Sequence, residues 1–230
     1  MASSRTGVTP IHKETQSLVD RVTDVVRQSI IDGRLKPGET VSISDLATDL
    51  GVSHSPVREA LQRLSGQGLV ELRPARTAVV APLAMDDLEE IYRLCKLNEV
   101  DAVARACPDL TDDDIAELER QLEVIAGEPL DSAEFWTAHD AFHLGLMRPV
   151  ASPRLERLFR QLWEARERYV RLDLADGPSD LLRAAGDRHR KLLDVARTHD
   201  GEAMGRALLE HLEFNEQSLS SSLSKQLGAN

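Results

Sequence analysis

Aromatic residues are scarce in this 230-residue sequence: two tryptophans, two tyrosines and four phenylalanines make up 3% of it. Any core must therefore be filled by leucine, valine, isoleucine and alanine, in keeping with a hydrophobic content of 41%. Long apolar runs are also missing. None approaches the roughly 18–20 residues needed to cross a bilayer, and the first residues hold no apolar signal core. The expectation is a cytoplasmic protein with no membrane partner. Cysteine is limited to Cys95 and Cys107, both in helical patterns, which reads as two reduced, buried thiols rather than a disulfide.

Positive charge is in short supply overall, with 28 Lys+Arg against 39 Asp+Glu and a net charge of −11. The deficit is uneven. Residues 1–83 hold 10 basic and 9 acidic side chains, a net of +1, whereas 84–230 hold 18 and 30, a net of −12. An acidic second part is kept off a polyanion, which leaves the first part as the candidate contact surface. The length suits two domains, each with its own core.

What the first part does contain is the stretch Val41–Val80. It opens with a short amphipathic helix, apolar at Leu46, Ala47 and Leu50 and closed by Gly51. A polar turn follows, Ser53-His54-Ser55-Pro56, in which a serine can cap the next helix and Pro56 suits its first turn. The spacing then predicts a helix over about 57–67, with Val57, Ala60, Leu61 and Leu64 inward and His54, Ser55, Arg58 and Gln62 outward. Gly68 ends it, and two short apolar runs, 69–72 and 78–81, flank the turn Arg73-Pro74-Ala75-Arg76. Helix, tight turn, helix and hairpin read as a winged helix-turn-helix, although a small three-helix domain with a polar surface shares the periodicity. In a winged unit the second helix lies in the DNA major groove. Arg58 can then contact guanine, Ser53, His54 and Ser55 can support it, and Arg73 and Arg76 can reach phosphate or minor groove.

The residues Gly33-Arg34-Leu35-Lys36-Pro37-Gly38, Ser53-His54-Ser55-Pro56-Val57-Arg58-Glu59-Ala60-Leu61 and Gly68-Leu69-Val70 resemble the DNA-binding domain of the GntR family of bacterial transcription regulators. The resemblance covers about 17–82 and implies double-stranded operator DNA as partner. It departs at His54, where an arginine is common, and at Thr77, where the wing turn usually has glycine.

Residues 1–16 read as a flexible arm in which Arg5 or Lys13 can add a phosphate contact. A helix is expected over 17–32, apolar at Leu18, Val22, Val25, Val26, Ile30 and Ile31. Ala81-Pro82-Leu83-Ala84 reads as a linker. From Met85 onward the pattern is helical: about 86–106, 112–126, 132–147, 153–174, 179–198 and 201–223. The inner face of 86–106 carries Leu88, Ile91, Leu94, Cys95, Val100 and Val103, and that of 153–174 carries Leu155, Leu158, Leu162, Tyr169 and Val170. Pro108, Gly127 with Pro129, Pro149 and Asp176-Gly177-Pro178 mark breaks. The architecture is thus mainly α, a winged helix-turn-helix followed by an antiparallel all-α bundle of about six helices over 83–223. The tail at 224–230 is expected to fray.

Four of the seven histidines fall in the bundle with informative spacing. His139 and His143 are one turn apart on one helix; His189 and His211 lie on the last two. Facing helices assemble imidazole metal sites in bundle cores, with zinc first and nickel, cobalt or iron as alternatives. By spacing alone, a histidine pair of this kind is more often solvated or hydrogen-bonded. His12, His54 and His199 read as non-metal, and Trp136 and Trp163 as core.

The motif His139-Asp140-Ala141-Phe142-His143, with His189 and His211, resembles the FCD effector domain of the FadR-type branch of the same family. The resemblance spans about 85–220 and implies a metal site at His143, His189 and His211, with His139 where the family has aspartate. Asp140 points about 100° away and reads as a surface or supporting group. The resemblance further implies a homodimer and a small carboxylate effector. The arginine usually found on the first bundle helix is replaced by Cys95, with Arg93 and Lys96 beside it, and the asparagine after the motif is replaced by Ser152. Arg93, Arg148, Arg166 and Arg171 are the candidate counter-charges. The reading is a metabolite-responsive transcription regulator, a repressor by the family's commoner mode. A metal-ion sensor and a metal-dependent hydrolase are the alternatives; no convincing base lies within a turn of His143, which disfavours the hydrolase.

Overall fold

The computed structural model describes residues 17–129, 132–175 and 185–228. The chain divides into two compact units: residues up to 30 with 38–81, and residues 31–37 with 82 onward. The expected arm, with Arg5, His12 and Lys13, lies outside the described residues, as does the Asp176-Gly177-Pro178 break.

In the first unit, α1 (Leu18–Ile31) starts at a reciprocal cap. The Ser17 N–H donates to Asp20 Oδ2, and the Asp20 N–H donates to Ser17 Oγ, each at 3.1 Å. Val22, Val26, Ile30 and Ile31 are buried, whereas Leu18, at the start of the helix, and Val25, off that face, both expected inside, are exposed at 48% and 47%. α2 (Ile43–Leu50) is capped by Ser42, whose hydroxyl accepts the Ser44 and Asp45 N–H groups, and closed by Gly51 at φ 65°. That left-handed turn is the conformation glycine adopts without penalty. α3 (His54–Gly66) begins three residues earlier than the periodicity suggests, and Ser53 stands at its N-cap without a side-chain capping bond. The apolar spacing alone could not place this first turn, because His54 and Ser55 are polar and exposed. Val57, Ala60, Leu61 and Leu64 are fully buried.

The hairpin is β2 (Val70–Arg73) and β3 (Thr77–Val80). A third strand, β1 (Thr40–Ser42), pairs antiparallel with β3 in the order β1-β3-β2, with Thr40 opposite Val79 and Ser42 opposite Thr77. Three residues are too few to show a period, so β1 had no sequence signature. The hairpin turns through Ala75 at φ 62° and Arg76 at φ 61°.

The second unit is a helical bundle: α4 (Met85–Ala106), α5 (Asp112–Gly127), α6 (Ala133–Leu146), α7 (Pro153–Ala175), α8 (Ala185–Ala196) and α9 (Gly201–Gly228). α4 ends in a 3-10 turn, Cys107–Asp109, and α5 starts at a capping box between Thr111 and Asp114. Both cysteines are free and buried; Cys107 lies in the turn rather than in a helix. On α7 the inward position is Phe159, 1% exposed, while Leu158 faces out at 38%. α9 continues beyond the expected fraying point because Leu219 and Leu223 are buried, at 2% and 3% exposure. No described helix is long and apolar enough to cross a membrane.

Candidate functional site

On the first unit, Ser53, His54, Ser55 and Arg58 lie exposed along the first turns of α3. Ser55 Oγ is 3.4 Å from Glu59 Oε1. Arg73 and Arg76 are exposed at the hairpin tip, Arg73 paired with Glu71. The side chains of Arg58 and Arg76 meet no carboxylate among the described residues. Ser53 makes no side-chain cap, so its hydroxyl does not take up the first-turn N–H groups of α3.

In the bundle, the structure brings four imidazoles together from three helices. His139 and His143 lie one turn apart on α6 with ring centroids 4.6 Å apart and planes tilted by 55°, and His189 of α8 lies 5.1 Å and 5.2 Å from them. One donor atom from each of these three falls within 4.8 Å of the others, the geometry of a set able to hold a metal ion. His143 Nε2 and His189 Nε2 are 3.2 Å apart. His211 of α9 stands 4.9 Å from His189 and 5.5 Å from His143 by ring centroids. Its Nε2 is 3.1 Å from Asn215 Nδ2, and its Nδ1 is buried with no hydrogen-bond partner among the described residues.

The electrostatics suit metal ligation. Burial, then the neighbouring histidines, holds the pKa of His143 well below the usual histidine range; burial and His189 do the same for His211. Both are therefore neutral, with lone pairs available as zinc-type ligands require. His139 Nδ1 is also buried without a hydrogen bond, and Asp140 Oδ1, at 3.7 Å, is beyond hydrogen-bonding reach. Two unpartnered buried ring nitrogens, on His139 and His211, in one histidine cluster fit a cation-binding role better than a closed hydrogen-bond network.

Beside the cluster is a cavity of about 40 Å³. Its walls include Tyr92, Phe135, Trp136, Arg166, Arg188 and Asn215. The arginines singled out from sequence are placed differently. Arg93 points outward, 60% exposed and paired with Glu90; Arg148 is 63% exposed and bonds Asp114 at 3.0 Å. Arg171 pairs with Glu167 at 2.6 Å and lies over the Trp136 ring at 5.1 Å. None of these three lines the cavity; Arg166 and Arg188 do. Arg93 is excluded by the turn of α4, which points Cys95 and Tyr92 inward. Arg166, the fourth candidate from sequence, does line the cavity, because with Phe159, Leu162, Trp163 and Tyr169 it falls on the buried stripe of α7. Trp163 belongs to the core, its indole N–H donating to Glu99 at 2.9 Å, whereas Trp136, expected in the core, borders the cavity.

A winged helix-turn-helix followed by a helical bundle defines a class of DNA-binding transcription regulator. The model of the bacterial regulatory proteins of the gntR family matches residues 18–80, and that of the FCD domain matches 90–214. The chain belongs to the GntR family of transcription regulators, in the group whose second domain is an FCD domain, and it is a DNA-binding regulator rather than an enzyme. Among curated relatives, the HTH-type transcriptional regulator McbR of Escherichia coli K12 is 34% identical over 149 residues, 64% of this chain and 67% of McbR. The HTH-type transcriptional repressor RspR of the same organism is 27% identical over 216 residues, 89% of this chain and 90% of RspR. The solved structure of E. coli McbR/YncC superposes with a TM-score of 0.77 at 28% identity, covering 91% of this chain and 100% of that one.

Proposed function

We propose that this protein is a homodimeric, cytoplasmic repressor whose hold on operator DNA is set by a small organic acid bound at a metal centre in the bundle. The observation that carries the reading is the cluster of His139, His143 and His189 with donor atoms within 4.8 Å of one another, beside a cavity. A buried ring nitrogen without a hydrogen bond, as at His139 Nδ1 and His211 Nδ1 among the described residues, costs more in a core than an aliphatic side chain would, which supports a use in binding. A divalent transition ion, zinc first and nickel second, would be held by His139, His143 and His189, with His211 beside them. When bound, it supplies a Lewis-acidic point for a ligand carboxylate. With histidine at 139 in place of a carboxylate, the occupied site carries one more positive charge, which favours an anionic ligand.

At the DNA end, Arg58 reads a base edge, Ser53, His54 and Ser55 support it, and Arg73 and Arg76 reach phosphate or minor groove. Two copies would present two α3 helices to a pseudo-palindromic operator with half-sites about one helical turn apart. The ligand acts through its different affinities for two arrangements of that dimer. The repressor named RspR supports the sign of regulation.

The test is elemental analysis of untagged protein purified without chelator, beside a His143→Ala/His189→Ala variant, followed by operator-binding titrations with small carboxylates. About one metal equivalent per chain is expected, lost in the variant, together with weaker operator binding when carboxylate is added. Metal-free protein whose DNA affinity ignores every carboxylate would sink the proposal. DNA affinity that tracks free metal alone would instead make the ion the signal.

A further inference from the structure

The cavity beside the histidines holds basic and hydroxyl groups that the cluster does not use. Arg166 of α7 is 4% exposed and lines the cavity, and its Nη1 is buried with no hydrogen-bond partner among the described residues. Tyr92 of α4 is fully buried, lines the same cavity, and its hydroxyl is likewise without a partner there. Arg188 of α8 adds a third such group through its Nε, although its Nη2 donates to the Glu210 carbonyl at 3.2 Å. Each orphaned donor costs desolvation free energy, and a guanidinium costs more than a neutral group. Three of them around one cavity call for an acceptor from outside the chain.

Internal compensation is incomplete. Glu99 is fully buried and takes the Trp163 N–H on Oε1, but its Oε2 is unpartnered among the described residues and it does not line the cavity. Cys95 is close enough to Glu99 and Arg166 for both charges to act on its thiol.

We infer that Arg166, with the Tyr92 hydroxyl, is the carboxylate-binding point of this cavity, and that the ligand is a compact organic acid of a few carbon atoms. The cavity is small, about 40 Å³, which favours a compact acid over fatty acids and bulky aromatic acids. Phe135, Trp136 and Val170 give the middle of the ligand an apolar wall. This rests on the effector reading above and adds to it the residues that read the acid. Arginine suits the task because its planar fork matches a carboxylate.

The experiment is calorimetric titration of the protein as purified with acetate and malonate, against acetamide and malonamide. The variants are Tyr92→Phe and Arg166→Gln/Glu99→Gln, the second removing both buried charges together. Wild type is expected to bind the acids at least tenfold tighter than the amides. Tyr92→Phe should melt higher, since it loses an unpartnered hydroxyl, yet bind malonate roughly tenfold more weakly. The double variant should keep its metal and lose malonate binding. A purely structural role for Tyr92 cannot produce a higher melting temperature together with weaker binding, so that variant decides even if the double variant fails to fold. Wild-type malonate affinity in Tyr92→Phe, or in a folded double variant, overturns the assignment of these residues and leaves the effector reading intact. No preference of the wild type for acid over amide removes both.

Discussion

The start of α9 rests against the end of α4, and Gly201 permits the approach. A Cβ on Gly201 would lie 2.2 Å from the Ala104 carbonyl oxygen, 3.3 Å from its carbon and 3.4 Å from Pro108 Cγ. The shortest of these is with backbone, so no rotamer change relieves it and one helix must move. Alanine gains at most about 1 kcal/mol over glycine inside a helix, less at a first position. Overpacking costs about 1–3 kcal/mol. Gly201→Ala is therefore expected to destabilise the bundle by about 1–2 kcal/mol, or roughly 3–6 °C of Tm for a chain of this size. Gly205, one turn on, supplies the internal control. Its Cβ would meet Ala104 Cβ at 3.4 Å and Val100 Cγ1 at 3.6 Å, ordinary contacts. Gly205→Ala should stay within about 0.5 kcal/mol of wild type or exceed it. Gly127→Ala, with nothing within 4 Å, should gain a few tenths of a kcal/mol. Scanning calorimetry of the three variants reads the order directly. A Gly201→Ala protein that melts at or above wild type would refute the packing argument.

Arg58→Ala is expected to weaken operator binding by about 1–3 kcal/mol and to relax selectivity at one base pair; fluorescence anisotropy with operator variants measures both, and unchanged affinity rules Arg58 out as a base reader. Ala75 holds φ 62° in the hairpin turn, a conformation costing a non-glycine residue about 1 kcal/mol or more. After the entropy offset, Ala75→Gly should raise the urea midpoint of the first unit slightly, and a lower midpoint contradicts the strain. Burial, opposed by Arg171, pushes the Glu167 carboxyl up to about 7 from 4.5. The folded state then holds a proton that the unfolded chain has released, so stability falls as pH rises from about 4.5 to 7 and levels off above. Glu167→Gln should flatten that fall, worth on the order of 1–3 kcal/mol; parallel urea titrations at pH 5 and pH 8 with equal differences for variant and wild type would exclude it.

Much of the DNA-reading unit was legible because its signals are local. Gly51 closes α2 through its own backbone preference, and the 3–4 spacing of Val57, Ala60, Leu61 and Leu64 defines the buried face of α3. Strand β1 was not legible, since Thr40–Ser42 becomes a strand only by pairing with β3. The side-chain cap expected from Ser53 is absent for a related reason: cap geometry depends on the entry angle of the chain, which residue type does not encode.

The bundle divides the same way. Sequence by itself determined the described helices, the breaks at Pro108, at Gly127 with Pro129 and at Pro149, and the four histidines as a group, because these follow from periodicity and residue type along one strand of chain. Which side chains share a cavity was decided only by tertiary structure. Arg166, Arg188, Tyr92 and Asn215 come from four different helices, and their convergence depends on how α4, α7, α8 and α9 are rotated about their axes. A residue offset of one turns a helical side chain by about 100°. That rotation separates exposed Arg93 from buried Tyr92, and it is set by the packing of the whole bundle rather than by any local run of residues.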